Sequence, residues 1–218
     1  MNIFRFFLIT KLTFVKKKRE HRDITTFYFE PSRPLKHVAG QHGIFILPAF
    51  RGVRPFSISS APEEKYVTFT THVRESSRFK QYIDHMKKGD RITMLGPVMN
   101  FTLRKRSREH IFLAQGIGIT PFRSMLVHSS AFEEKDKITL IHVDSQEHTF
   151  KDLTSKKAFR ARYPKSPEEY DLVLKNTVSK NAHYYLSGGP KFVSASKKSL
   201  AKLGIDKKQI HLDNFWGY

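Results

Sequence analysis

The hydrophobic pattern of this chain changes character once, at Arg104-Lys105-Arg106-Ser107-Arg108, and that break limits the folds open to it. Before it, residues 3–15, 23–30, 43–48, 54–60, 66–73 and 91–95 read as short β segments rich in Phe, Ile, Val and Thr. Turn-forming stretches separate them, such as Lys16-Lys17-Lys18-Arg19-Glu20, which reads as a solvated hairpin loop, and Pro31-Ser32-Arg33-Pro34. One helix is expected over 77–88, where Phe79, Tyr82, Ile83 and Met86 recur at helical spacing as core contacts. Many short strands with one helix predict a small antiparallel β-barrel of Greek-key type. After the break the runs alternate: strand 110–114, helix 122–128, strand 138–143, a helix around 150–162, strand 184–186, helix 191–203 and strand 209–212. That alternation predicts an α/β domain on a parallel sheet. Two domains follow, 1–105 and 106–218.

With 218 residues, the chain can bury a real core in either half. The absence of cysteine excludes disulfides, an iron–sulfur cluster ligated by this chain, and cysteine-based zinc sites or nucleophiles. The eleven histidines are scattered, so no metal site is expected. The opening run, residues 1–11, is apolar but far short of the ~20 residues a spanning helix needs, and no signal-cleavage pattern follows. A first strand and a cytoplasmic protein are the expectation. Charge is the unusual property. The formal net charge of +19 is spread over both halves, with 20 Lys and Arg against 8 Asp and Glu in 1–105 and 19 against 12 in 106–218. Such a field favours acidic partners and anionic ligands. No nucleic-acid-binding module accompanies it, and no nucleic-acid partner is expected.

Four stretches are candidates for carrying chemistry. Arg54-Pro55-Phe56-Ser57-Ile58-Ser59-Ser60 combines a guanidinium, an aromatic ring and three hydroxyls with no carboxylate. If extended, it places Arg54, Phe56 and Ile58 on one side and Pro55, Ser57 and Ser59 on the other. A fork for an anionic oxygen beside a flat apolar surface suits a nucleotide cofactor with a pyrophosphate and a planar ring system. An ordinary strand with one charged residue would read the same way. Gln115-Gly116-Ile117-Gly118-Ile119-Thr120-Pro121 lies between a strand and a helix. There Gly116 and Gly118 would admit a ligand close to the backbone, with Thr120 as N-cap and Pro121 as first helical residue at an anion-favouring helix start. Ser187-Gly188-Gly189-Pro190 repeats this pattern after a later strand, and neighbouring strand ends of such a sheet line one crevice. Finally, Asp213-Asn214-Phe215-Trp216-Gly217-Tyr218 closes the chain on three aromatics, which either pack on the core or cover something flat.

Taken together these motifs resemble the ferredoxin–NADP+ reductase family over essentially the whole chain. Arg54, Phe56 and Ser57 match its Arg-x-Tyr/Phe-Ser flavin signature, and Ala39-Gly40-Gln41 resembles its Pro-Gly-Gln entry to a barrel strand. Gly96-Pro97 with Phe101 resembles its domain exit. Gly116, Gly118, Thr120 and Pro121 match the nicotinamide motif, and Gly188, Gly189 and Pro190 fall in its Cys-Gly-Pro segment. The resemblance implies an FAD-binding antiparallel barrel followed by an NAD(P)-binding α/β domain. It implies that Arg54 binds the FAD pyrophosphate, that Phe56 stacks on one face of the isoalloxazine, and that Ser57 hydrogen-bonds near N5, with Pro55 in the same motif. Thr71, His72, Val73, Ser76 and Ser77 fall where the family wraps the rest of FAD. Phe215 or Trp216, with Tyr218 next, would cover the other flavin face and move aside for nicotinamide where the barrel abuts the wound sheet.

The departures carry information too. Gly188 stands in place of a frequent cysteine, His72 in place of a frequent arginine, and Val98-Met99-Asn100 lacks a glycine before Phe101. Gln115 replaces the more usual first glycine, and the upstream Pro-Gly-Gln lacks its proline. Asp144-Ser145 after the second α/β strand lacks the arginine of a 2′-phosphate site, which leans the chain toward NADH. The expected function is an FAD-dependent NAD(P)H oxidoreductase that passes electrons to an acceptor. With no iron–sulfur domain in this sequence, a separate acidic ferredoxin or flavodoxin is the expected partner. The alternatives are a flavin or ferric-chelate reductase and a non-catalytic flavin- or nucleic-acid-binding module.

Overall fold

The computed structural model describes residues 8–74, 76–104, 109–131, 137–145, 147–155 and 160–214. The chain divides into two compact units, Met1–Thr102 and Leu103–Tyr218. In the first, strands β1 (Ile9–His21), β2 (Ile24–Pro31), β3 (His42–Ile46), β4 (Val53–Ser57), β5 (Val67–His72) and β6 (Arg91–Val98) form one antiparallel sheet. Its order is β4-β3-β6-β1-β2-β5. The sheet curls until its outer strands meet: the Ser59 amide, just past β4, donates to the Thr68 carbonyl of β5 at 2.8 Å. Pro55 is tolerated in β4 because that strand is an edge.

Helix α1 (Arg78–Asp84) plugs the curl with buried Phe79 and Ile83, while Met86 is buried just beyond it and Tyr82 packs alongside. The barrel core is largely aromatic. Phe27 and Phe29 stack on Phe69 at 5.4 and 5.6 Å between ring centroids, and Phe45 lies 4.5 Å from the same ring. Hydroxyls that must also go inside form a chain, in which Ser59 reaches Thr70 at 3.2 Å, Thr70 reaches Thr26 at 2.8 Å, and Thr26 donates to the Glu20 carboxylate at 2.7 Å. The terminal acceptor orients the chain. Thr26 has given its one proton to Glu20 and must accept from Thr70, which in turn accepts from Ser59.

The basic run at 16–20 is strand and not hairpin loop. Lys16 pairs with Tyr28 and Arg19 with Thr25 across β1 and β2, and the turn falls at Arg22-Asp23. The run is compatible with a strand because its cations stay in water along their stems: Lys16 Nζ sits 5.1 Å over the Tyr28 ring and Lys17 bonds Asp84 at 2.6 Å.

In the second unit, β7 (Glu109–Gln115), β8 (Lys137–Val143), β9 (Arg160–Arg162), β10 (His183–Gly188) and β11 (Ile210–Asn214) form a parallel sheet in the order β11-β10-β7-β8-β9. Its helices are α2 (Thr120–Ala131), α3 (Lys151–Thr154), α4 (Pro167–Thr177) and α5 (Pro190–Lys202). Ile111, Leu113, Tyr184 and Leu186 share a core with Tyr170 and Leu174 of α4 and Val193 and Leu200 of α5. The helix expected around 150–162 is one turn, α3, and the chain is already back in the sheet at β9. The helix that sequence reading passes over is α4. It is capped by Ser166, whose side chain accepts from the Glu169 amide, with Pro167 opening it and Glu168 and Glu169 in its first turn.

Histidines gather on this sheet. His183 Nδ1 and His211 Nε2 lie 2.9 Å apart with the rings stacked, and Tyr185, 4.8 Å from His211, accepts the Arg104 amide. Burial, then Arg104 and the neighbouring His183 and His110, push His211 down to about 4, and burial with Arg104 lowers His183 as well. A folded pKa below the unfolded value near 6.5 means that the unfolded chain binds more protons between about pH 4 and 6.5. Stability is therefore expected to fall as pH drops through that window. Thermal melts from pH 7 to 4.5 should show it, with a shallower slope in His211→Gln; a melting temperature flat across the window would contradict it.

Candidate functional site

Each unit offers one cluster of candidate residues. On the barrel, β4 carries Arg54, Pro55, Phe56 and Ser57. Arg54 is exposed, and its guanidinium reaches back to the Val53 carbonyl at 2.8 Å. Burial first, and then the positive charges of Arg74 and Arg54, lower the Lys80 pKa against the opposing pull of Asp23. His72, at the end of β5, bonds the same Asp23 at 3.0 Å, and Arg74 Nε lies 3.9 Å from that carboxylate. Burial outweighs the Asp23 contact and leaves His72 below its ordinary pKa, with Arg74 and Lys80 adding to the shift. Lys80 thus lies within electrostatic range of Arg74, Arg54 and Asp23, three cations to one carboxylate, a balance that favours an anion.

Phe56 is half-buried and faces the barrel core. Its ring is parallel to Phe69 at 4.6 Å and flanked by Phe79 at 5.6 Å, so one face is already occupied and a planar ligand would have the other. Ser57 is buried and shares a 3.1 Å hydrogen bond with His42 Nε2, its register partner on β3. Thr71 is buried and Val73 packs on the core. Ser76 is exposed, and Ser77 caps α1 by accepting from the Lys80 amide. Sequence reading missed His42 and Arg74 as members of this group, since only the cross-strand register and the contact with Asp23 bring them in; Lys80 lies in the Ser76–Lys80 stretch that the family resemblance assigns to FAD.

In the second unit the two glycine turns lie at the C-terminal ends of β7 and β10, which are neighbours in the sheet. They touch. A Cβ on Gly118 would sit 2.2 Å from the Ser187 carbonyl oxygen and 3.0 Å from Gly188 Cα. Glycine is needed at 118 to let one turn pack on the other, a different reason from the ligand approach expected. Gly116 adopts φ +52, and its carbonyl is held at 3.0 Å by Nε2 of the buried His142 on β8. Gly188 has φ +156 and backs onto Gln115 and Phe192. Gly189 has little beside it except the Gln115 side chain, and Pro190 opens α5. Ser187 donates to Asp213 at 3.3 Å, both buried.

Thr120 is not an N-cap. A 3-10 turn over Gly116–Ile119 starts the helix earlier, Thr120 is itself helical, and its buried hydroxyl donates back to the Ile117 carbonyl at 3.0 Å. Pro121 is buried in the first turn of α2. Phe215, Trp216 and Tyr218 lie outside the described residues; Asn214 before them is the register partner of Gly188.

No protein-family model matches the chain. In sequence it is 29% identical over 231 residues to the flavohemoprotein of Bacillus subtilis (strain 168), covering 92% of this chain and 57% of that protein. Among solved structures, the flavohem-like FAD/NAD-binding domain of nitric oxide dioxygenase from Vibrio cholerae O1 biovar El Tor aligns with a TM-score of 0.81 at 23% identity, over 94% of this chain and 98% of that one. The ferredoxin–NADP+ reductase from Plasmodium falciparum aligns with a TM-score of 0.77 at 17% identity, over 94% and 95%. The chain belongs to the ferredoxin–NADP+ reductase-like fold. As in the sequence expectation for this fold, an antiparallel curled sheet precedes a five-stranded parallel sheet, and the chain spans a little over half the length of the flavohemoprotein it matches. Among the described residues of this ferredoxin reductase-like chain, no helix is long and apolar enough to cross a membrane.

Proposed function

We propose that the chain is an FAD-dependent NAD(P)H oxidoreductase module that passes electrons onward to a separate acidic carrier protein. The observation that carries the reading is the contact of Gly118 with Ser187 and Gly188, which brings two glycine turns to one edge of a parallel sheet. The contact itself is buried, and it leaves the part-exposed Gly116 and Gly189 at neighbouring strand ends, where a dinucleotide binds in open α/β sheets. The likeness in sequence and fold to flavohemoprotein and ferredoxin reductases supports the same reading.

The residues present fit FAD. Arg54 would supply the fork, and Lys80 within its electrostatic range adds to the positive field that a pyrophosphate needs. Phe56 is held rigidly by Phe69, so the face it leaves is a fixed platform for a flat ring. Ser57 is oriented by His42, which fixes where its hydroxyl can point. Bound FAD supplies the conversion between two-electron and one-electron transfer. In the second unit, His142 holds the Gly116 peptide and thereby sets the shape of the turn that would seat the nicotinamide dinucleotide. Asp144 Oδ2 lies 3.9 Å from the Cβ position at Gly116, and a carboxylate there opposes a 2′-phosphate, which favours NADH.

Steady-state assays of the FAD-loaded protein with an acidic ferredoxin, free flavin and a ferric chelate test the acceptor. The carrier protein should give the highest kcat/KM, and that value should fall as salt rises from low ionic strength. Preference for free flavin or the chelate, without salt dependence, would instead assign a small-acceptor reductase.

A further inference from the structure

Gln115 and Gly188, two departures from the motifs in the sequence, meet at one place in the fold. β7 and β10 pair with Ala114 opposite Ser187, so the residues that follow, Gln115 and Gly188, stand side by side where the two strands end. A Cβ on Gly188 would lie 2.9 Å from Gln115 Cβ and 3.1 Å from Phe192 Cδ1. The Gln115 side chain therefore begins in the space that a side chain at 188 would need. It ends over the next residue of the turn, with Oε1 3.3 Å from the Cβ position of Gly189. The glutamine is exposed, and among the described residues no hydrogen bond ties up its carboxamide. A neutral group with two N–H donors and a carbonyl acceptor thus lies across the backbone of the second glycine turn.

The sheet order says which part of a dinucleotide would reach it. In the reductase reading, Asp144 just past β8 meets the ribose that distinguishes NADH from NADPH, and β10 lies on the other side of β7. A dinucleotide with its adenosine end at β8 that crosses the end of β7 brings its nicotinamide end to β10. Nicotinamide bears a primary carboxamide, the same set of donors and acceptor as glutamine, so the two amides can exchange hydrogen bonds. Resting on that reading, we propose that Gln115 is a binding residue for the nicotinamide end of the dinucleotide, its side chain taking the room of one at position 188 and presenting a carboxamide from there. Glycine at 188 is then the counterpart of glutamine at 115, and its φ of +156° suits glycine as well.

The test uses the full chain loaded with FAD and has two arms. Thermal melts of Gly188→Ala, Gln115→Gly and the double variant read the packing. Gly188→Ala should melt well below the parent, and the same change should cost clearly less in the Gln115→Gly background; equal costs in both would overturn the shared space. NADH turnover with ferricyanide reads the ligand contact. In Gln115→Ala and in the near-isosteric Gln115→Glu the KM for NADH should rise about tenfold, the size of one lost hydrogen bond, while inhibition by 5′-AMP stays within about twofold. Because Gln115→Glu keeps the volume, its KM separates the hydrogen bond from the packing. An unchanged KM in either variant, or inhibition by 5′-AMP that weakens as much as the KM rises, would overturn the assignment. Absence of NADH turnover in the FAD-loaded parent would remove the reductase reading itself, and this proposal with it.

Discussion

Gly118→Ala is expected to unfold or badly destabilise the second unit, because the added methyl would sit 2.2 Å from the Ser187 carbonyl oxygen. That oxygen belongs to β10, a central strand hydrogen-bonded on both sides to β7 and β11, so it cannot give way without disturbing the sheet. The cost is on the order of 3 kcal/mol or more, a large share of the ~5–15 kcal/mol by which domains are stable. Gly189→Ala provides the internal comparison. Its nearest neighbour is the end of the flexible Gln115 side chain at 3.3 Å, and its φ of −64° suits any residue. Thermal melts should show a drop of roughly ten degrees or more for the first variant and little change for the second. Equal stability of the two would mean that the glycine turns are not packed as described.

Arg54→Ala should have the opposite profile, with the fold intact and flavin lost. The side chain is exposed and reaches back to the Val53 carbonyl, so its removal leaves no buried group unpaired. Charge-assisted hydrogen bonds to an anion contribute about 1.5–3 kcal/mol each, and losing a bidentate pair should weaken FAD binding by roughly a hundredfold or more. Arg54→Lys should fall between, keeping charge without the fork. Flavin release on dilution, followed by fluorescence, measures all three proteins. Retention equal to the parent in Arg54→Ala would remove this residue from the site.

How far these residues could be read beforehand follows from their range in space. Strand runs such as 66–73 and 110–114 show in the sequence because alternation and β-branched content are local, and β5 and β7 lie on them. The run at 16–20 misleads for the same reason: four consecutive cations look like a loop until Tyr28 and Asp84, distant in sequence, supply partners. Ser166-Pro167-Glu168-Glu169 carries a cap, a first-turn proline and two acids, a local signal that suffices to place α4. Within the candidate site, Arg54, Ser57 and both glycine turns are motif residues. His42 and Arg74 are not, since only strand register and a contact with a residue distant in sequence bring them in. The role of Gly118 was equally hidden, because it depends on how close two turns approach.

Anaerobic addition of NADH to the FAD-loaded protein, with the visible absorbance spectrum recorded throughout, reaches the heart of the matter. A reductase module of this kind should bleach its flavin band within mixing and recover it when an electron acceptor is admitted, with NADPH acting more slowly. A flavin that binds yet keeps its oxidised spectrum under excess NADH and NADPH would contradict the assignment.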